Sequence, residues 1–234
     1  SKERADSFSI FVKRLLTEIP LLNHLMPGPG QRDSNVAFEV GPARPHQAPS
    51  VKSVGITGQI TGSRANIVIA DDVETPKNSA TQLQRDKLSE LVKEFDAVLI
   101  PGGRIIYLGT PQCEMSIYNA LRHRGYETRI WPSEYPAPNL LDVPTYGPLI
   151  APRLLTMVTN DPSLVGHSTE TTRFDDEDLA SRKLSYGLAG YMLQFMLNTT
   201  LSDLERFPLK TADIPLMDLD TEKHPAKIVW ARDV

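Results

Sequence analysis

An apolar run that ends in acidic residues is the part of this 234-residue sequence that most directly suggests chemistry. The run Ile67-Val68-Ile69-Ala70 is typical of a central parallel strand that is buried on both faces. Asp71 and Asp72 follow it at once, and Glu74 comes after one valine. Open α/β folds bind ligands at the carboxyl ends of their strands, so we expect these three carboxylates at a ligand-binding edge.

Phosphoryl transfer is the chemistry that such a group of carboxylates could support. One carboxylate would hold Mg²⁺, usually through water, and a neighbour would orient the attacking water. Asp71 is the candidate metal residue, and either Asp72 or Glu74 is the candidate catalytic acid, because spacing alone does not choose between them. The plainer interpretation is that aspartate only marks where a buried strand leaves the core.

Two further positions could complete the site. Gly109 and Thr110 follow the predicted strand 104–108, and Thr110 would lie beside the carboxylates if the two strands are neighbours. Its hydroxyl could then sense a terminal phosphate. Arg64, just before the acidic strand, could reach phosphate in its own site or, as an arginine finger, in the site of a neighbouring subunit. A simple turn and a surface side chain are the plainer interpretations.

The phosphate-binding loop that usually accompanies such a site does not occur in the sequence. A Gly-x-x-x-x-Gly-Lys-Ser/Thr motif cradles phosphates with backbone amides, and this sequence contains no Gly-Lys pair. The glycines of 28–30 and 102–103 lack the lysine and the hydroxyl that should follow it. Either the loop lies upstream of Ser1, or the protein is not an ATPase.

Alternating helical and strand patterns are predicted to position these residues. Apolar residues recur at helical spacing over 2–19, 82–99, 115–123 and 179–197. Shorter runs predict strands at 36–40, 51–56, 67–70, 104–108, 126–131 and 228–230. Six prolines between 132 and 152 predict a connecting segment, and Gly187 or Gly190 could divide the last helix. The alternation predicts an α/β fold with a mainly parallel sheet.

Composition sets outer limits on the function. A content of 40% hydrophobic and 23% charged residues is ordinary for a globular protein. The formal charge of −4 argues against a surface coated with basic groups for nucleic acid, but not against a local basic patch. The single cysteine, Cys113, excludes an internal disulfide and suits a reducing cytoplasm.

Several longer strings resemble the terminase large subunits of short-tailed lytic phages, also called DNA maturase B. They are 1–6, 30–34, 50–59, 61–66 with the acidic strand after it, 107–112 and 193–198. The likeness runs from Ser1 to about Trp230. The resemblance implies a P-loop NTPase core of ASCE or RecA-like type over 1–131. It also implies a helical lid or linker subdomain over 132–208 and a connection toward a nuclease over 209–234.

The same resemblance implies roles for individual residues. Asp71 becomes the Walker B magnesium residue, and Asp72 or Glu74 becomes the acid that activates water. Thr110, after Gly109, falls in the motif that couples hydrolysis to DNA movement, and family members tend to place a phosphate-facing arginine at the position of Arg64. The implied cofactors are ATP and Mg²⁺. The implied partners are double-stranded DNA, the portal protein and a small terminase subunit, in a homo-oligomeric ring on the procapsid portal in the host cytoplasm, without a membrane.

By this resemblance the phosphate loop should precede Ser1, and an RNase H-like nuclease should follow Val234. We therefore expect the chain alone to hydrolyse ATP poorly or not at all and to cut no DNA. Two alternatives stay open. One is a helicase-like nucleic-acid translocase, and the other is a non-catalytic scaffold with a degenerate ATPase fold, against which the cluster of three acids counts.

Overall fold

The computed structural model describes residues 2–58, 60, 62–113 and 115–201. Their contacts divide the chain into two compact units, one of residues 1–110 and one that begins at Pro111. The domain division after Trp131 stays a prediction. The strand predicted at 228–230 and the connection predicted over 209–234 lie outside the described residues. No helix in the described part of the chain is long and apolar enough to cross a membrane.

The first unit contains two long helices, one before its strands in sequence and one between the two parallel strands, and both confirm the helical periodicity. The helices of this unit are α1 (Lys2–Glu18), α2 (Pro76–Ser79) and α3 (Gln82–Val98), with a 3-10 turn at Pro20–Leu25. A capping box starts α3: the Thr81 hydroxyl accepts from the Gln84 N–H at 3.3 Å, and the Gln84 side chain accepts from the Thr81 N–H at 3.1 Å.

The parallel sheet of the first unit consists of β3 (Ala65–Asp71) and β4 (Leu99–Leu108). The strand predicted from Arg104 therefore begins earlier, directly after α3. The register shifts between Ala65 and Ile67, and Gly102 has a φ of +79°. A glycine adopts that conformation at little cost, so the extra residues of β4 bulge out without breaking the strand.

Helix α3 covers one face of this sheet. Val92 and Phe95 are buried, and the Phe95 ring lies 6.0 Å from the Tyr107 ring of β4. On the opposite face Ile67 and Ile69 are 57% and 51% exposed, beside Leu108 at 50%. The prediction that 67–70 is buried on both faces is therefore wrong for the described residues, because a helix packs on only one side of this strand.

A second, antiparallel pair joins β1 (Ala37–Phe38) to β2 (Val51–Lys52). The strands predicted at 36–40 and 51–56 thus exist, but they are shorter and are not part of the parallel sheet. The described chain is a mixture of helices and sheet with one small parallel pair, which is compatible with the predicted α/β class.

The second unit is mainly helical where it is described. Its α-helices are α4 (Ile117–Leu121), α5 (Pro138–Leu141), α6 (Pro152–Asn160) and α7 (Asp176–Gln194). Gly187 interrupts α7 with φ 67° and ψ 173°, as the sequence predicted. The strand predicted at 126–131 is wrong: Ile130 forms a single bridge to Ile150. The segment around Ile150 leads at once into Pro152 and α6, so no longer ladder forms.

Two buried apolar clusters hold the second unit together. One contains Tyr135, Tyr146, Ile150, Ala151, Leu154 and Val158, and the other contains Leu179, Tyr191 and Met196. The Tyr146 hydroxyl, in a side chain only 3% exposed, donates to the Met196 carbonyl at 2.6 Å. This hydrogen bond links the two clusters across 50 residues of sequence.

Candidate active site at the end of the parallel sheet

The carboxyl ends of β3 and β4 lie side by side. Asp71 is opposite Leu108 in the register of the two strands. The ladder continues one residue further, since the Asp72 N–H donates to the Leu108 carbonyl at 2.9 Å. The condition set for Thr110 is therefore met: the strand ending at Leu108 neighbours the acidic strand, and Gly109 and Thr110 leave the sheet at the same edge as the acids.

Asp71 is a carboxylate that could hold a metal ion at this edge. It is the last residue of β3, and its side chain is exposed. The described residues contain no cluster of three or more His, Cys, Asp or Glu side chains that could hold a metal on their own. Magnesium fits the position nevertheless, because it is commonly bound through one or two carboxylates while waters and substrate phosphates supply its other ligands.

Asp72 has an unusual backbone and a defined partner. Its φ of +46° lies in the left-handed region, which non-glycine residues seldom adopt. Its carboxylate forms an ion pair with Arg4, from the first turn of α1. The Asp72 side chain is 36% exposed and that of Arg4 is 69% exposed. Asp72 is thus open to solvent while its backbone and carboxylate are both held.

Glu74 differs from the two aspartates in its burial. It is 3% exposed, in a segment fixed by local hydrogen bonds on either side. The Asn78 amide donates to the Val73 carbonyl at 2.8 Å, and the Asn78 side-chain oxygen accepts from the Thr75 N–H at 2.7 Å. These contacts hold the chain as it turns from β3 into α2, with Glu74 in the interior of the turn.

Arg64 is not brought to these acids within the chain. It directly precedes β3, and its guanidinium donates to the Ser63 carbonyl at 3.0 Å. Asp71 lies seven positions further along the extended strand, a distance of about 23 Å at roughly 3.3 Å per residue. That exceeds the reach of an arginine side chain. A role for Arg64 in the site of a neighbouring subunit stays a prediction.

Arg4 is the residue near this site that sequence reasoning did not single out. It lies 68 residues from its partner Asp72, in a helix whose pattern indicates only an amphipathic surface. No spacing rule connects the two positions, since the contact depends on how α1 packs beside the sheet. The ion pair therefore emerges only from the three-dimensional structure.

Similarity to a known protein indicates which kind of protein carries this sheet edge. No protein-family model matches the chain. The chain is 54% identical over 98% of its length to the protein named terminase, large subunit, of Enterobacteria phage T3. It spans 40% of the length of that relative. Similarity over nearly the whole chain confirms the predicted resemblance to phage terminase large subunits.

Proposed function

We propose that this chain forms part of the ATPase of a motor that drives double-stranded DNA into a phage procapsid. The observation that supports this most is the parallel register of β3 and β4 in a chain so similar to a terminase large subunit. In that register Asp71 lies beside the end of β4 that leads into residues 109–110, and a nucleotide-bound metal and a terminal phosphate would meet there. The corresponding fold is a P-loop NTPase of ASCE or RecA-like type.

In this proposal Asp71 holds Mg²⁺, which when bound offsets the charge that develops on the transferred phosphoryl group. Asp72 orients the attacking water. We assign this role to Asp72 and not to Glu74 because Asp72 is 36% exposed in its side chain, whereas Glu74 is 3% exposed. Glu74 would have to leave its buried position to reach a water at this edge.

Thr110 and Arg64 complete the proposed machinery. The Thr110 hydroxyl, after Gly109 at the end of β4, contacts the terminal phosphate and couples its loss to DNA movement. Arg64, at the far end of β3, acts on the site of an adjacent subunit. The strand geometry supports this assignment, because about 23 Å of extended strand separates Arg64 from the proposed metal residue of its own site.

The phosphate cradle of this proposed site comes from sequence outside the chain, which has no Gly-Lys pair of its own. The chain by itself is then a weak ATPase or none, and DNA cutting belongs to a nuclease domain of the longer protein. The proposed partners are double-stranded DNA, the portal protein and a small terminase subunit. The motor would be a homo-oligomeric ring, docked on the procapsid portal in the host cytoplasm.

The test is ATP hydrolysis by the full-length protein that carries this chain, compared with its Asp71→Ala variant. We expect the variant to lose about 100-fold or more in turnover, because metal stabilisation of the transition state amounts to several kcal/mol. Glu90→Ala is the matched control, since this 71% exposed carboxylate on α3 pairs only locally, with Lys93 at 2.6 Å. It should turn over ATP like the unmodified protein.

Three outcomes would count against the proposal. Activity that survives Asp71→Ala would put the metal site elsewhere. Absence of ATPase activity with DNA and portal present would favour the scaffold alternative. ATP-driven strand separation without packaging into procapsids would favour the helicase-like alternative.

A further inference from the structure

The first turn of α1 is fixed against the segment that precedes the acidic strand. The Asp6 carboxylate accepts from the Ser53 hydroxyl at 2.5 Å and pairs with Lys2 at 2.5 Å. Gly55 approaches so closely that a Cβ added there would lie 3.0 Å from the Lys2 Cβ. These contacts on both sides of Arg4 set the position of its backbone, so the direction of its side chain is constrained as well.

The carboxylate that Arg4 meets is constrained from the other side. The Asp72 backbone is tied to β4 through the Leu108 carbonyl and has a left-handed φ. Such a conformation persists only where the surroundings hold it. The Asp72 side chain, in contrast, lies at a solvent-exposed edge, where a short side chain can rotate. Its ion pair with Arg4 gives the carboxylate a fixed partner at that edge.

Building on the proposed ATPase, we infer that Arg4 is a positioning residue for Asp72. The guanidinium holds the carboxylate at the sheet edge in the orientation that the attacking water requires. Arg4 does not itself touch the reacting atoms. Small displacements of a positioned catalytic group can cost up to about 100-fold in rate, and loss of an outer-shell partner typically costs about 10–100-fold.

This role is distinguishable from that of an ordinary surface ion pair. Exposed ion pairs contribute little to stability, so removing Arg4 should hardly change the unfolding temperature. It should instead lower turnover selectively, since ATP binding does not depend on the orientation of the water-activating acid. A planar guanidinium and a lysine ammonium present different geometry, so Arg4→Lys should recover only part of the loss.

The experiment measures kcat, KM for ATP and unfolding temperature of the full-length protein and its Arg4→Ala and Arg4→Lys variants. We expect Arg4→Ala to lower kcat about 10–100-fold and to leave KM within about twofold. The control is Arg14→Ala on the same helix, where an arginine of equal exposure, 69%, pairs with Glu18 at 2.6 Å away from the sheet edge. The Arg14→Ala variant should have the same unfolding temperature as Arg4→Ala. Its kcat should equal that of the unmodified protein.

A double-mutant cycle decides whether Arg4 acts through Asp72. In an Asp72→Asn background, which already removes the oriented carboxylate, Arg4→Ala should cause little additional loss of kcat. The inference would be overturned if Arg4→Ala lowered kcat in the Asp72→Asn background by the same factor as in the unmodified protein. It would also be overturned if Arg4→Ala alone left kcat unchanged. If turnover depends on Asp71 but not on Arg4, only this inference fails. If the unmodified protein does not hydrolyse ATP, the proposed function fails and this inference with it.

Discussion

Replacing Tyr146 by phenylalanine removes the hydroxyl group whose hydrogen bond joins the two apolar clusters of the second unit. The hydroxyl donates to the Met196 carbonyl at 2.6 Å in a site where the side chain is 3% exposed. A hydrogen bond of this kind contributes only about 0.5–1.5 kcal/mol net, but removing the donor alone leaves the buried carbonyl without a partner, which costs about 1–3 kcal/mol in place of that net value. We expect Tyr146→Phe to lower the free energy of unfolding by about 1–3 kcal/mol.

Denaturant unfolding followed by tryptophan fluorescence suits this measurement, because Trp131 and Trp230 both lie after Pro111 in the sequence. Tyr186→Phe is the control. That tyrosine is 52% exposed, and its ring packs edge-on against Phe195 at 5.3 Å, a contact that phenylalanine keeps. It should change stability by no more than about 0.5 kcal/mol.

The pH dependence gives a second test of the same bond. Burial raises the pKa of the Tyr146 phenol above its ordinary value of 10.0. The stability that depends on the neutral phenol is therefore complete below about pH 10 and is lost as the pH rises toward the folded-state pKa, by at most about 1.4 kcal/mol per pH unit. The difference between unmodified protein and Tyr146→Phe should shrink above pH 10. Equal effects of Tyr146→Phe and Tyr186→Phe would refute the reasoning.

Two other perturbations address the second unit. Gly187→Ala should destabilise by about 1–3 kcal/mol in denaturant unfolding, because φ 67° with ψ 173° is a region that essentially only glycine adopts; an unchanged midpoint would contradict this. Hydrogen bonds from His167 and from the Ser168 N–H lower the pKa of Asp176. The stability that Asp176 contributes is therefore present at pH values above the ordinary aspartate pKa, and it is lost as the pH falls through the folded-state pKa. In an NMR titration His167→Ala should raise that pKa, and an unmoved titration would rule out the histidine as its main cause.

The elements that the sequence predicts well are those with a local signal. The helix over 82–98 combines apolar residues at helical spacing with a capping box at Thr81. The acidic end of β3 is equally local, since a β-branched run stops at Asp71. The break at Gly187 also follows from one residue type. In each case, neighbouring residues contain the information that determines the structure.

The features that sequence patterns missed depend on partners distant in sequence. Residues 126–131 have a strand-like composition but form only one bridge, at Ile130, because no neighbouring segment stays extended. Sequence patterns do not indicate that β4 starts at Leu99, because the helical pattern of α3 continues directly into the strand with no turn residues between them. The pair of Arg4 with Asp72 depends on packing between α1 and the sheet end, which no spacing encodes.

The exposed face of the parallel sheet has a practical consequence for work with this chain alone. Ile67, Ile69, Ile106 and Leu108 form one continuous apolar surface, each side chain between 43% and 57% exposed. Contiguous apolar area of this kind favours association between copies in water, and the edges of a two-stranded sheet offer unpaired backbone groups as well. Solubility, more than unfolding, should therefore set the highest usable concentration. A charged residue at Ile67 would be the simplest change to raise that limit without touching the acidic edge.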